Sequence, residues 1–195
     1  MGKKSSNSKS LTILPNGQTL ILRQIEVIKK DFPDSEIILT VGPEATNVIN
    51  RINDIEIIEN KDYKTTNCED IKLAINSANG SELVYISGDV IFNKESLNII
   101  NGHSTLLIDS QAEKADSVGM TVIDDHATIM SYSVAPKWGK IGFFVKRDME
   151  LLKKMLNSEN INKLFFFELI NKLILQEHRS IRAIEPKNSR IKVIV

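Results

Sequence analysis

The stretch Leu83-Val84-Tyr85-Ile86-Ser87-Gly88-Asp89-Val90-Ile91-Phe92 is an apolar run that stops at two small residues and a carboxylate before turning apolar again. Large apolar residues in succession, without polar alternation, predict a strand buried on both faces, as in a parallel sheet covered by helices. In open sheets of that kind ligands bind beyond the carboxyl ends of the strands, so Asp89 points into the expected crevice. Gly88 lets a ligand approach the backbone closely. Asp89 has the chemistry to hold Mg²⁺, an ion that takes one or two carboxylates together with substrate phosphates. The same carboxylate reads equally as a cap on the turn that follows.

Upstream of this stretch, strands and helices alternate. Residues 11–14 are apolar and lead into Pro15-Asn16-Gly17, a turn cluster. Leu20, Ile21, Ile25 and Ile28 then recur at helical spacing as far as the Pro33 stop. Residues 37–41 read as a buried strand ended by Gly42-Pro43, residues 43–51 as a helix, 55–58 as a strand and 67–78 as a helix. The expected core is therefore α/β, a three-layer sandwich around a mainly parallel central sheet.

Downstream the rhythm changes. A short helix at 95–100 precedes apolar stretches at 105–108, 117–123, 128–133 and 141–145, and several strands in a row predict antiparallel additions to the sheet. Helices at 148–156 and 161–176 follow, then 181–184 and 191–195 as edge strands. No repeat or interdomain linker divides the chain, and 195 residues suit a single domain, residues 1–195.

Composition narrows the function. With 42% hydrophobic and 26% charged residues the chain has the make-up of an ordinary globular protein. Twenty-five basic residues balance 25 acidic ones. Neither nucleic acid nor an anionic membrane is thus the expected principal partner. No apolar run nears the roughly 20 residues of a membrane helix, and the start MGKKSSNSKS lacks the apolar segment of a signal peptide. The single cysteine, Cys68, excludes an intrachain disulfide and fits a reducing, intracellular or cytoplasmic setting.

In order along the chain, LPNGQTLILRQIEVIKKDFPDSEIILTVG, IIENKDYKTTNCEDIKLAINSA and LVYISGDVIF resemble the nucleotidyltransferase family that activates sugar phosphates and phosphocholine with NTPs. The resemblance covers residues 9–144. It includes Asn60 and Tyr63, the pair Thr66-Asn67, and the pair Gly88-Asp89. It implies the GT-A-like α/β fold and a reaction in which a phosphate attacks the NTP α-phosphorus and displaces pyrophosphate, a transfer governed by positioning and charge neutralisation. It makes Asp89 the Mg²⁺-binding, catalytic aspartate. Lys9, in Ser8-Lys9-Ser10-Leu11, resembles the family's phosphate-contacting lysine, and Asn67 and Gly88 would lie beside the bound nucleotide or acceptor. A solvated lysine in a tail is the alternative for Lys9.

The departures from the family pattern define a second expectation. The family opens with an apolar strand and a Gly-x-Gly-x-Arg loop whose amides cradle the triphosphate. Met1-Gly2 falls where that loop ends, so a start site assigned too far downstream or a trimmed sequence is one reading. The family's closing strand often carries a second metal carboxylate, whereas Ile191-Lys192-Val193-Ile194-Val195 carries none. The chain is accordingly read as a degenerate nucleotidyltransferase, or else as a catalytically inactive homologue, a pseudoenzyme kept as a structural or assembly protein. The second reading allows a viral particle component and a virion location. Its partner would be another protein or a second copy of the chain, in place of an NTP and a phosphorylated small molecule. A chain without its first strand also leaves a gap beside the next one, to be filled by residues 11–14, by a neighbouring chain or by repacking.

Other chemistry-bearing residues have plainer readings. His103, His126 and His178 lack ligand spacing. Asp124-Asp125-His126 reads as a turn between strands. Among Lys137, Trp138 and Lys140, any could face the crevice, with the tryptophan packed over a sheet end as the alternative. Phe165-Phe166-Phe167 must leave one ring exposed on a helix.

Overall fold

The computed structural model describes residues 9–43, 52, 54–61, 67–98, 102–112, 117–158, 164–187 and 191–193. The helix expected at 43–51, and Tyr63 and Thr66, lie outside the described residues, as does the side chain of Asn67.

The N-terminal half follows the predicted order. A short 3-10 turn at Lys9–Leu11 is followed by a reversal in which the Gly17 amide donates to the Leu14 carbonyl at 2.8 Å, with Gly17 at φ +81°. Helix α1 (Leu20–Asp31) buries Leu20, Ile21, Gln24 and Ile25 on one stripe, and ends before Pro33. Strands β1 (Ile38–Val41) and β2 (Glu56–Glu59) pair in parallel. Helix α2 (Asn67–Ser77) then leads to β3 (Leu83–Ile86) and, after the Ser87–Asp89 turn, to β4 (Val90–Ile91).

Beyond α3 (Lys94–Leu97) come β5 (Thr105–Asp109), β6 (Val118–Ile123), β7 (His126–Tyr132) and β8 (Lys137–Phe144). Helices α4 (Lys146–Leu156) and α5 (Phe166–Leu175) lead to β9 (Arg182–Ile184), and β10 (Lys192–Val193) pairs antiparallel with β4.

The sheet is mixed where a mainly parallel one was expected. The six-stranded order is β3-β8-β5-β9-β7-β6, in which only β5 and β9 run parallel. Hydrophobic runs disclose burial on both faces but not direction, and direction is what differs. Strand β9 was expected at an edge and lies inside the sheet, because the crossover through α4 and α5 returns it parallel to β5. Strand β3, expected to be buried within a parallel sheet, is an edge of this sheet and pairs antiparallel with β8.

A β6–β8 bridge at Gly119 and Lys137 closes β8, β5, β9, β7 and β6 into a ring of five strands. Gly119 makes the closure possible: a Cβ there would lie 1.9 Å from the Val134 carbonyl oxygen and 2.6 Å from that of Pro136. Both obstacles are backbone and cannot rotate away. Gly119→Ala is expected to destabilise the chain by about 3 kcal/mol, read as a lower midpoint of urea unfolding.

Side-chain alternation along β5 separates two cores. Leu106 and Ile108 pack with α2, α4 and α5 around Ile71, Ile75, Leu152, Phe166 and Leu169, while Leu107 packs with Val90, Phe92, Leu97 and Ile141. Val27, Ile28 and Phe32 of the α1 region cover that second core. A third, smaller cluster around Val41, with Leu11, Leu39, Ile55 and Ile57, belongs to the β1–β2 pair and is separate from both.

Candidate functional site

The site forms where β3 ends. Asp89 closes the turn after β3, with its side chain 12% exposed. Its Oδ1 accepts from Ser87 Oγ at 2.8 Å, and its Oδ2 accepts from Lys140 Nζ at 2.6 Å. The carboxylate is therefore ion-paired rather than a simple turn cap. Lys140 reaches it from an irregularity in β8: between Leu106 and Ile108 the pairing on β8 moves from Gly142 to Trp138, so β8 carries two extra residues there. Lys140 lies in that bulge at φ +56°, a conformation uncommon for a side-chain-bearing residue, and bulges re-aim side chains in this way.

Two further contacts fix the turn. Gln24, buried on the inner stripe of α1, donates through Nε2 to the carbonyls of Ser87 at 3.0 Å and Val90 at 2.6 Å. The Ser87 amide donates to the Lys140 carbonyl at 3.1 Å. Gln24 was not singled out from sequence, although a polar residue inside the stripe of Leu20, Ile21, Ile25 and Ile28 is the available signal. Gly88 packs beneath the first 3-10 turn, and a Cβ on it would sit 3.2 Å from Ser10 Cβ. The structure thus brings Lys9, Ser10, Gly88 and Asp89 to one cavity, with Lys9 exposed at its rim. Asn67 opens α2. Asn60 is buried and donates through Nδ2 to Asp70 Oδ1 at 2.6 Å, bracing α2 against the end of β2.

The other candidates fall away from the site. Trp138 is buried, stacks on Tyr85 with ring centroids 5.9 Å apart, and donates its indole N–H to the Ile141 carbonyl. Lys137 is buried and donates to the Ser117 carbonyl. Asp124 and Asp125 have φ of 48° and 61° and form the tight turn between β6 and β7, as the sequence predicts. Phe166 is buried while Phe165 is exposed. Burial, followed by the nearby Glu168 and Glu69 charges, pushes the Cys68 thiol up to about 12, so it is no nucleophile. Burial likewise holds the Tyr85 phenol protonated.

Among the described residues no group of three His, Cys, Asp or Glu side chains gathers as a metal cluster. Asp89 is a single carboxylate already shared between a hydroxyl and an ammonium. Such a donor fits a Mg²⁺ ion only if a bound phosphate supplies most of the other ligands. None of the described helices is long and apolar enough to cross a membrane.

No protein-family model matches the sequence, and no curated protein is similar to it in sequence. Solved structures are similar over nearly the whole chain. The inositol-1-phosphate CTP transferase from T. maritima is 12% identical, with a TM-score of 0.77 over 98% of this chain and 82% of that one. The CTP:phosphocholine cytidylyltransferase from Streptococcus pneumoniae is 17% identical, with a TM-score of 0.73 over 97% and 85%. A nucleoside-diphosphate-sugar pyrophosphorylase from Vibrio cholerae RC9 is 14% identical, with a TM-score of 0.73 over 95% and 87%. The chain has the fold of the sugar-phosphate and phosphocholine nucleotidyltransferases.

Proposed function

We propose that the protein is a degenerate nucleotidyltransferase that keeps an NTP-binding site at the carboxyl end of β3, within the α/β sandwich of the GT-A type. Lys9 and Lys140 would meet the phosphates, Gly88 would let them approach the backbone, and Asn67 at the start of α2 would stand on the nucleotide or acceptor side. The acceptor class is a sugar phosphate or phosphocholine. The observation that carries the reading is the ion pair of Asp89 with Lys140. It keeps the carboxylate of a metal site and sets an ammonium on it. Asp89 would hold a Mg²⁺ ion brought in on the triphosphate, and the ion would screen the phosphate charge. The same ion pair favours the second reading, a catalytically silent relative retained for binding a partner protein.

Calorimetric titration with each of the four NTPs tests the site. Weak binding that strengthens with Mg²⁺ is expected. Asp89→Ala should remove the Mg²⁺-dependent part, and Asp124→Ala, in a turn at the far end of β6, should leave it intact. Equal loss from both substitutions would place the site elsewhere.

A further inference from the structure

The inner stripe of α1 is apolar except at one position. Leu20, Ile21 and Ile25 are buried on it, Ile28 packs into the second core, and among them Gln24 is 4% exposed. Burying an amide costs free energy that a leucine or isoleucine at the same place does not incur. Hydrogen bonds offset that cost, so the partners of Gln24 disclose its role.

Both partners lie on the site. Nε2 donates to the Ser87 carbonyl at 3.0 Å and to the Val90 carbonyl at 2.6 Å, one on either side of Gly88 and Asp89. Two carbonyls facing one group require an NH2 there and not an oxygen, so the neighbours fix the orientation of the amide. The turn's own closing hydrogen bond, from the Val90 amide to the Ser87 carbonyl, is long at 3.3 Å. The turn also contains a glycine, the residue with the most backbone freedom to lose. Gln24 therefore supplies the shorter bonds that hold the two ends of the turn together. What depends on them is the aim of Asp89, whose Oδ1 rests on Ser87 Oγ and whose Oδ2 meets Lys140 Nζ.

Helix α1 does not need Gln24 in order to dock. Its apolar stripe is buried, and Asp31, its last residue, pairs with Lys94 of α3 at 3.1 Å. The same helix carries the Lys9 turn: the Leu20 amide donates to the Thr12 carbonyl at 2.9 Å, and the Thr12 amide to the Lys9 carbonyl at 3.1 Å. A brace that starts on α1 thus aligns the Asp89 turn with Lys9 as well. We propose that Gln24 is a positioning residue of the site, whose buried amide clamps residues 87–90 and so aims Asp89 at Lys140. The consequence for phosphate binding rests on the nucleotide reading, whereas the aim of Asp89 is a property of the free protein and is measured without a nucleotide.

Carbodiimide cross-linking of the 195-residue protein measures it. The reagent activates a carboxylate, and an amine in salt-bridge contact displaces the reagent as its urea and forms an amide. Asp89 should couple to Lys140, and Asp54 to Lys29 of α1, a pair 3.7 Å apart on the surface that reports whether the helix stays in place. Gln24→Met has a side chain of similar length and no donor. It should lower the Asp89–Lys140 yield about fivefold, the effect of about one net hydrogen bond, and leave the Lys29–Asp54 yield unchanged. Gln24→Asn, whose amide is one methylene shorter, serves if that variant does not fold, and should lower the same yield by a smaller factor. An unchanged Asp89–Lys140 yield overturns the proposal. An equal fall at both pairs also overturns it, because Gln24 would then act only in packing the helix. In calorimetric titration, Mg²⁺-dependent NTP binding should weaken in Gln24→Met by the same factor as the cross-link. Absence of NTP binding by the unaltered chain would remove the nucleotide reading, and the two cross-link yields would still decide the role of Gln24.

Discussion

Asp148→Ala should lower the stability of the chain by about 3–5 kcal/mol, the range for removing one partner of a buried ion pair. Asp148 is 1% exposed and lies in the first turn of α4, where a negative charge also suits the helix dipole. One of its oxygens accepts from Arg179 Nε and the other from Ser104 Oγ. Ser104 Oγ in turn accepts from the Val145 amide at 3.1 Å, at a helix start that has no side-chain cap of its own. One carboxylate thus ties together the entry to β5, the start of α4 and the segment that leads into β9. Truncation strands a guanidinium and a hydroxyl and releases the first turn of α4. Arg179 is 21% exposed and can turn toward water, which favours the lower end of the range. Urea unfolding reads the loss. Asp148→Asn, which keeps a hydrogen-bond acceptor, should lose less, and a loss under about 1 kcal/mol for the alanine variant would mean that the network is not a linchpin of the fold.

What the sequence disclosed and what it hid divide along the line between local and non-local information. The stripe of Leu20, Ile21, Ile25 and Ile28 is local, and α1 covers it within a residue or two of the expected ends. Asp124-Asp125 is local, and it makes the expected turn. Strand direction is not local: runs such as residues 141–145 show a buried strand but not that β8 lies antiparallel to both β3 and β5. The candidate site divides in the same way. Asp89 and Gly88 stand out as a strand end with a small residue and an acid, and the structure puts them there. Lys140 is 51 residues away from Asp89 and reaches it through a bulge that only the β5–β8 register reveals. A cavity lies between β1 and β3, lined by residues 36–42 and 82–89, and no local pattern in either run discloses it.

Pyrophosphate release by the 195-residue chain should be undetectable with any of the four NTPs and either sugar 1-phosphates or phosphocholine as acceptor. Transfer of this kind depends on fixed positive charge around the developing pyrophosphate, and loss of one strong electrostatic contact costs about 10²- to 10³-fold. Asp89 is the carboxylate at the end of β3, and Lys140 Nζ already lies 2.6 Å from its Oδ2. An ion arriving with the NTP must displace that ammonium or share the carboxylate with it, and like charges crowded on one carboxylate repel. Lys140→Met separates the two effects. It should strengthen Mg²⁺ binding about tenfold, because the competing charge is gone, yet leave turnover undetectable, because among the described residues no group of three His, Cys, Asp or Glu side chains gathers to hold a metal ion. Asp89→Ala combined with Lys140→Met should return the ion affinity to background. Robust turnover by the unaltered chain would show that the Asp89–Lys140 pair opens when substrate binds, and the reading of this site as a degenerate one would fall with it.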